Sequence, residues 1–176
     1  MKDREHFTAA ERIDPRTGKV KTDIIYTGVM YAASVSPDAF KGLKRRGLVF
    51  SALCAGFYIF AGAQNGLTGR NIFTALPYAV LSLPLAFLLI AAVRLAMNRD
   101  GRFTAVEKRK VVERMRMCGT AAAILGGWCA AAGLVLSLTN GFSAPDAAFA
   151  GATLACAAWG FAAFWEARAV DCRESS

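Results

Sequence analysis

Four stretches of the chain contain no charged side chain: residues 47–69, 71–93, 117–145 and 147–165. At 1.5 Å per residue even the shortest makes a helix of about 28 Å, close to the roughly 30 Å hydrocarbon core of a bilayer; helices buried in soluble proteins rarely keep such runs beyond about 14 residues. Run length therefore decides the expected fold class, an all-α integral membrane protein. It should be an antiparallel bundle of four transmembrane helices with a small cytoplasmic N-terminal element. The spans are expected at about 47–67, 72–94, 117–139 and 146–165. Composition agrees, since 55% of residues are hydrophobic and 19% charged, against about 45–50% and about 25% in soluble domains.

The net charge of +8 invites a nucleic-acid reading, but its distribution follows the positive-inside rule. Lys41, Lys44, Arg45 and Arg46 precede the first run, and Arg94, Arg99, Arg102, Lys108, Arg109, Lys110, Arg114 and Arg116 lie between the second and third. Only Arg70 and Asp146 fall in the two opposite turns. Assigning the basic segments to the cytoplasm puts 20 of the 21 Lys and Arg there. The expected location is thus the cell membrane, of bacterial cytoplasmic type, with both chain ends cytoplasmic. The first 40 residues carry six basic and six acidic side chains and no apolar signal region, so the first span is expected to direct its own insertion.

The resulting organisation is a cytoplasmic appendage (1–35), a first transmembrane hairpin (36–97), a basic cytoplasmic loop with a helical extension (98–116), a second hairpin (117–166) and a cytoplasmic tail (167–176). In the appendage, residues 7–13 and 20–26 are β-prone and flank Asp14-Pro15-Arg16-Thr17-Gly18-Lys19. They read either as a β-hairpin or as a disordered tail, because a lone hairpin is marginal in water. Ser36-Pro37-Asp38 has the form of a helix start, and Thr104 with Glu107 that of a capping box. Pro77 and Pro84, seven residues apart, should bend the second span.

Small residues recur every four positions in the last two spans: Ala122, Gly126 and Ala130, then Ala148, Ala152, Cys156 and Gly160. Such ridges let backbones approach closely in lipid, and are expected to pack on each other. Trp165 falls at the inner interface, while Trp128 and Trp159 fall nearer mid-membrane. Lys44 and Gly47 align with Arg116 and Gly119 at an offset of 72 residues, hinting at two hairpins of like orientation, although any two hairpins would share this pattern.

The exclusions bear on function. The sole histidine, His6, lies outside the spans, so no paired axial ligands exist for haem. No Asp, Glu, Lys or Arg sits inside a span, where proton relays and ion paths usually place one. The intramembrane hydroxyls, Ser51 and Thr153 among them, have no base in their own spans. The cysteines Cys54, Cys118, Cys129, Cys156 and Cys172 form no C-x-x-C pair and give no support for structural disulfides. No Walker phosphate loop is present. We therefore expect no catalytic, cofactor-binding or metal-ligating residues, no cofactor and no enzyme activity. A lipid-acting site would need rim residues such as Asp100, Glu107 and Glu113, which nothing in the sequence gathers. The expected partners are the lipid bilayer, with anionic headgroups at the basic face, and a protein partner or a second copy, with no nucleic acid. The expected role is a non-enzymatic accessory or interaction subunit of a membrane complex. The alternative is a small oligomeric transporter or channel.

Overall fold

The computed structural model describes residues 7–13, 20–26, 30–33, 35–64, 66–98, 101–141, 143–170 and 172–175. It is mostly helical. Strands β1 (Phe7–Ile13) and β2 (Val20–Tyr26) pair antiparallel, Phe7 opposite Tyr26 and Ile13 opposite Val20. The turn expected at 14–19, with Pro15 and Gly18, lies outside the described residues, as does His6. Strand β3 (Met30–Ala33) leads into α1 (Pro37–Gly62), a short helix α2 (Leu67–Arg70) and α3 (Ile72–Met97). Strand β4 (Arg102–Thr104) then precedes α4 (Ala105–Lys108), a π turn (Arg109–Glu113), α5 (Arg114–Asn140), α6 (Ala144–Ala169) and strand β5 (Cys172–Ser175).

Three continuous helical segments are long and apolar enough to cross a membrane: Ile72–Met97, Ala105–Asn140 and Ala144–Ala169. A multi-pass membrane protein has this character. On α3 the apolar surface goes all round, which in a helix of this length suits a membrane span. Thr74, Leu81, Leu85, Leu88, Ala91 and Leu95 are buried, while Ile72, Leu76, Val80, Leu83, Phe87, Ile90 and Met97 form an exposed stripe on the other side. Helix α3 runs through Pro77 and Pro84 without interruption. Helix α1 differs from the expected first span. It ends at Gly62 rather than near residue 67, and its first turns hold Asp38, Lys41, Lys44, Arg45 and Arg46. Its charge-free part, residues 47–62, is only about 24 Å long.

Local chemistry sets the helix starts. Ser36 Oγ accepts from the Ala39 N–H, Asn71 Oδ1 from Phe73 and Ser143 Oγ from Asp146, each satisfying a donor that the first helical turn leaves free. The Thr104–Glu107 capping box is present in both directions.

The small-residue ridges of α5 and α6 do pack on each other. A Cβ on Gly126 would lie 3.1 Å from both the Ala157 nitrogen and the Thr153 oxygen, and one on Gly160 would lie 2.9 Å from the Ala122 Cβ. Here backbones touch without intervening side chains. Helix α1 packs on α6 and α3 packs on α5, closing the bundle around Leu81, Leu85, Cys54, Ala122 and Cys156.

The offset of 72 residues also relates the long helices, though not α2 or the end of α1. It carries α3 onto α6 end for end, N-cap Asn71 onto Ser143 and C-cap Asn98 onto Val170. It carries buried Thr74, Leu81, Leu85, Leu88, Ala91 and Leu95 onto buried Asp146, Thr153, Ala157, Gly160, Ala163 and Ala167. In the preceding helices it carries Phe40, Leu43, Gly47, Cys54 and Ala61 onto Val112, Met115, Gly119, Gly126 and Gly133, all buried. The two hairpins are thus structural repeats of like orientation. Residue size changes at these positions while burial persists, although Val80 and Ala39 are exposed where Ala152 and Val111 are buried.

Candidate functional site

One end of the bundle collects nearly all of the charge that the helices carry, with Arg70 and Asp146 at the other. Strand β3 lies between β4 and β5 in a three-stranded antiparallel sheet, Tyr31 opposite both Phe103 and Glu174. The segment before α1, the 98–104 connection and the segment after α6 therefore meet at this end. Phe103 is fully buried beneath the sheet, edge-on to Phe40 with ring centroids 6.2 Å apart. The tail expected over 167–176 is in part a strand.

Two cations fasten the hairpins here. Lys44 Nζ donates to the Asn98 carbonyl at 2.8 Å. Its counterpart Arg116 donates from Nε to the Ala167 carbonyl and from Nη2 to the Val170 carbonyl, both at 3.0 Å. Each entering helix thus supplies a cation to the carbonyl-rich C-terminus of the returning helix, where the helix dipole favours positive charge. Arg116→Met should lower stability by about 2 kcal/mol, the scale for losing charged hydrogen bonds to part-buried carbonyls. Arg116→Lys should recover part of that, since Lys44 makes one such bond. Thermal unfolding in mild detergent checks both, and an Arg116→Met variant as stable as wild type would contradict the capping role.

The second hairpin's corner holds a cleft of about 620 Å³ between α3 and the α4–α5 junction. Arg109, Lys110, Glu113 and Arg114 line it together with Phe87, Val106 and Met117. An adjoining cleft of about 340 Å³ shares Lys110 and adds Arg94, Met97 and Glu107. The π turn creates this arrangement. Hydrogen bonds from i to i+5 widen the turn, so residues five apart, Arg109 and Arg114, come onto neighbouring faces. Val111, Val112 and Met115 fill the core on the opposite side. The Arg114 guanidinium lies 5.1 Å from the Phe87 ring centre, a cation–π contact. Among the described residues, Arg94, Arg109, Lys110 and Arg114 make no ion pair.

In the described interior the hydroxyls of Ser51, Ser137 and Thr153 are held by their own helices. Ser51 donates to the Gly47 carbonyl at 2.8 Å, Ser137 to Gly133 at 2.9 Å and Thr153 to Phe149 at 3.0 Å, so these hydroxyls are bonded within their own helices. The Cys54 and Cys156 sulfurs lie 3.2 Å apart as free thiols, a juxtaposition not visible in their spacing. Among the described residues, no three His, Cys, Asp or Glu side chains are grouped to hold a metal ion. Of the rim acids, Glu107 accepts from the Thr104 N–H at 3.0 Å, Glu113 lines the large cleft, and Asp100 lies outside the described residues.

Trp128 sits against the first turn of α3, where its Nε1–H donates to the Phe73 carbonyl at 3.3 Å. Pro77, four residues on, has no N–H to offer that carbonyl, and a neighbouring helix supplies the donor.

At the opposite end, Asp146 is buried and accepts from the Thr68 N–H at 2.8 Å and from the Ser143 hydroxyl. It caps α2 from a different hairpin, a role the sequence did not signal. The cluster of Arg94 with Lys110 was also missed. Both could have been sought by asking what the 72-residue offset does to each charge.

No protein-family model, curated protein or solved structure matches this chain. The fold and site define a class only, a mostly helical protein with three segments long and apolar enough to cross a membrane and one strongly basic end.

Proposed function

We propose that this protein is a non-enzymatic accessory or interaction subunit of a membrane complex, with its basic end and both chain ends in the cytoplasm. In this reading α1 is a fourth crossing, completed by the turn and α2 that follow it. The charge asymmetry supports the orientation. The observation that carries the role is the β1–β2 ribbon. It forms a sheet of its own, separate from the β4-β3-β5 sheet, and neither outer strand edge pairs with another strand among the described residues. A two-stranded ribbon is marginal alone, and unpaired edges are templates for another chain. A protein partner at the cytoplasmic face answers both needs. The filled interior around Leu81, Leu85 and Cys156 favours this reading over a solute path through one copy, the transporter or channel alternative.

The test removes residues 1–26 and keeps β3, the centre of the second sheet. The shortened protein should insert and melt like wild type. In a mild-detergent pull-down from native membranes it should lose at least nine-tenths, roughly, of a stoichiometric partner recovered with the full chain. A partner retained at full stoichiometry would count against the proposal. So would a full chain that elutes as a homo-oligomer alone, which would direct attention to solute flux in reconstituted vesicles.

A further inference from the structure

The two repeats neutralise their basic corners differently. In the corner where α1 meets α6, Arg46 donates two hydrogen bonds to Glu166, at 2.8 and 3.2 Å, and Lys41 lies 3.4 Å from Asp38. The 72-residue offset turns Glu166 into Arg94 and Asp38 into Lys110. Both carboxylates of the first corner are therefore cations in the second. There Arg94 and Lys110 line one cleft, and Arg109 and Arg114 join Lys110 in the other. Glu107 is held in its capping box, and Glu113 stands in the cleft without an ion-pair partner among the described residues. Generic attraction to a negative leaflet would apply to both corners alike. Among the described residues, only the second has a π turn, and there four cations without an ion-pair partner line open clefts.

We propose that these adjoining clefts, joined at Lys110, bind the phosphate headgroup of an anionic lipid, whose negative charge does for these cations what Glu166 and Asp38 do in the first corner. Arginine suits phosphate because its planar fork donates in pairs. Phe87 and Met117 stand beside the cations and are exposed, 45% and 74% respectively, so the wall continues into apolar surface. An amphiphile fits such a wall better than a free anion. The inference rests on the membrane reading but not on the accessory role.

The test measures binding of phosphatidylglycerol, of phosphatidylcholine and of inorganic phosphate to the detergent-purified full chain by native mass spectrometry. Wild type should bind phosphatidylglycerol in preference to phosphatidylcholine, with inorganic phosphate a poor competitor. Arg109→Gln/Lys110→Gln/Arg114→Gln should weaken phosphatidylglycerol binding by about a hundredfold, at about fivefold per cation removed. The control Lys41→Gln/Arg45→Gln/Arg46→Gln removes the same charge from the first corner and should bind like wild type. A second variant, Arg94→Glu/Lys110→Asp, installs the first corner's carboxylates. It should lose the lipid while melting no lower than wild type, which separates binding from misfolding. Equal losses in the two triple variants, or retained binding in the carboxylate variant, would overturn the site. Inorganic phosphate displacing the lipid as readily as phosphatidylglycerol itself would overturn the lipid assignment.

Discussion

Gly126→Leu and Gly160→Leu should each destabilise the protein by more than about 3 kcal/mol, the upper part of the range for overpacking a close-fitted interior. The cause is the neighbour each new side chain would meet. Beside Gly126 stand the backbone nitrogen of Ala157 and oxygen of Thr153, each 3.1 Å from a Cβ; beside Gly160 stands the Ala122 Cβ at 2.9 Å, with the Ala123 nitrogen at 3.3 Å. None of these can rotate aside as a long side chain would. Relief requires α5 and α6 to separate along their whole contact, which closes the bundle core. Gly127 and Gly151 provide the control, since a Cβ on either meets nothing within 4 Å. Gly127→Leu and Gly151→Leu should change stability by less than about 0.5 kcal/mol, the usual bound for surface substitutions. Thermal unfolding in mild detergent, followed by helicity, reads all four. Comparable losses at the two open positions would show that leucine is tolerated poorly for reasons other than helix contact.

The second large effect is expected where Asp146 meets Gly66. Asp146 accepts the Thr68 N–H, an otherwise free donor at the start of α2, and replacing it with alanine should cost about 2 kcal/mol, as for a lost charged hydrogen bond and cap. Gly66 is required here for space, because its φ of −85° is open to any residue. A Cβ would fall 2.2 Å from the Asp146 carboxylate oxygen. Gly66→Ala must therefore push the carboxylate off Thr68, at a cost comparable to Asp146→Ala. Once Asp146 is gone, Gly66→Ala should cost little more. A double-mutant cycle measures this, with an expected coupling of about 1–2 kcal/mol. Additive losses would mean that the two residues act independently and that Asp146 does not hold α2.

Much of the helical plan was legible because it depends on neighbours in sequence. Ser36, Thr104 with Glu107, and Ser143 cap helices through bonds spanning three residues. The β-prone runs at 7–13 and 20–26 pair in the register that places Phe7 opposite Tyr26, Ala9 opposite Ile24 and Ile13 opposite Val20. Within the first charge-free run the helix is not continuous, because run length does not mark where a helix closes. Ala63 and Gln64 close α1, with their N–H groups bonded to the carbonyls of its last turn, while the run itself continues through α2.

The candidate site was hardly legible. The π turn has no compositional mark, and Arg94 and Lys110 reach one cleft only through the packing of α3 against the π turn. The repeat was just as obscure in sequence, because inward positions exchange large residues for small: Leu81 with Thr153, Leu88 with Gly160, Ala61 with Gly133. Burial register survives such exchanges, while residue identity does not.

The sequence by itself determined that long apolar helices form, where most of them begin, and that charge concentrates at one end. These follow from run length, capping and composition, all of which act over a few turns of one chain segment. Only the tertiary structure decided that Asp146 caps a helix 78 residues away, that three distant strands share a sheet, and that one basic corner is paired internally while the other is left open. Those outcomes depend on which helix faces meet, and the close approach of glycine-bearing backbones in α5 and α6 sets that geometry.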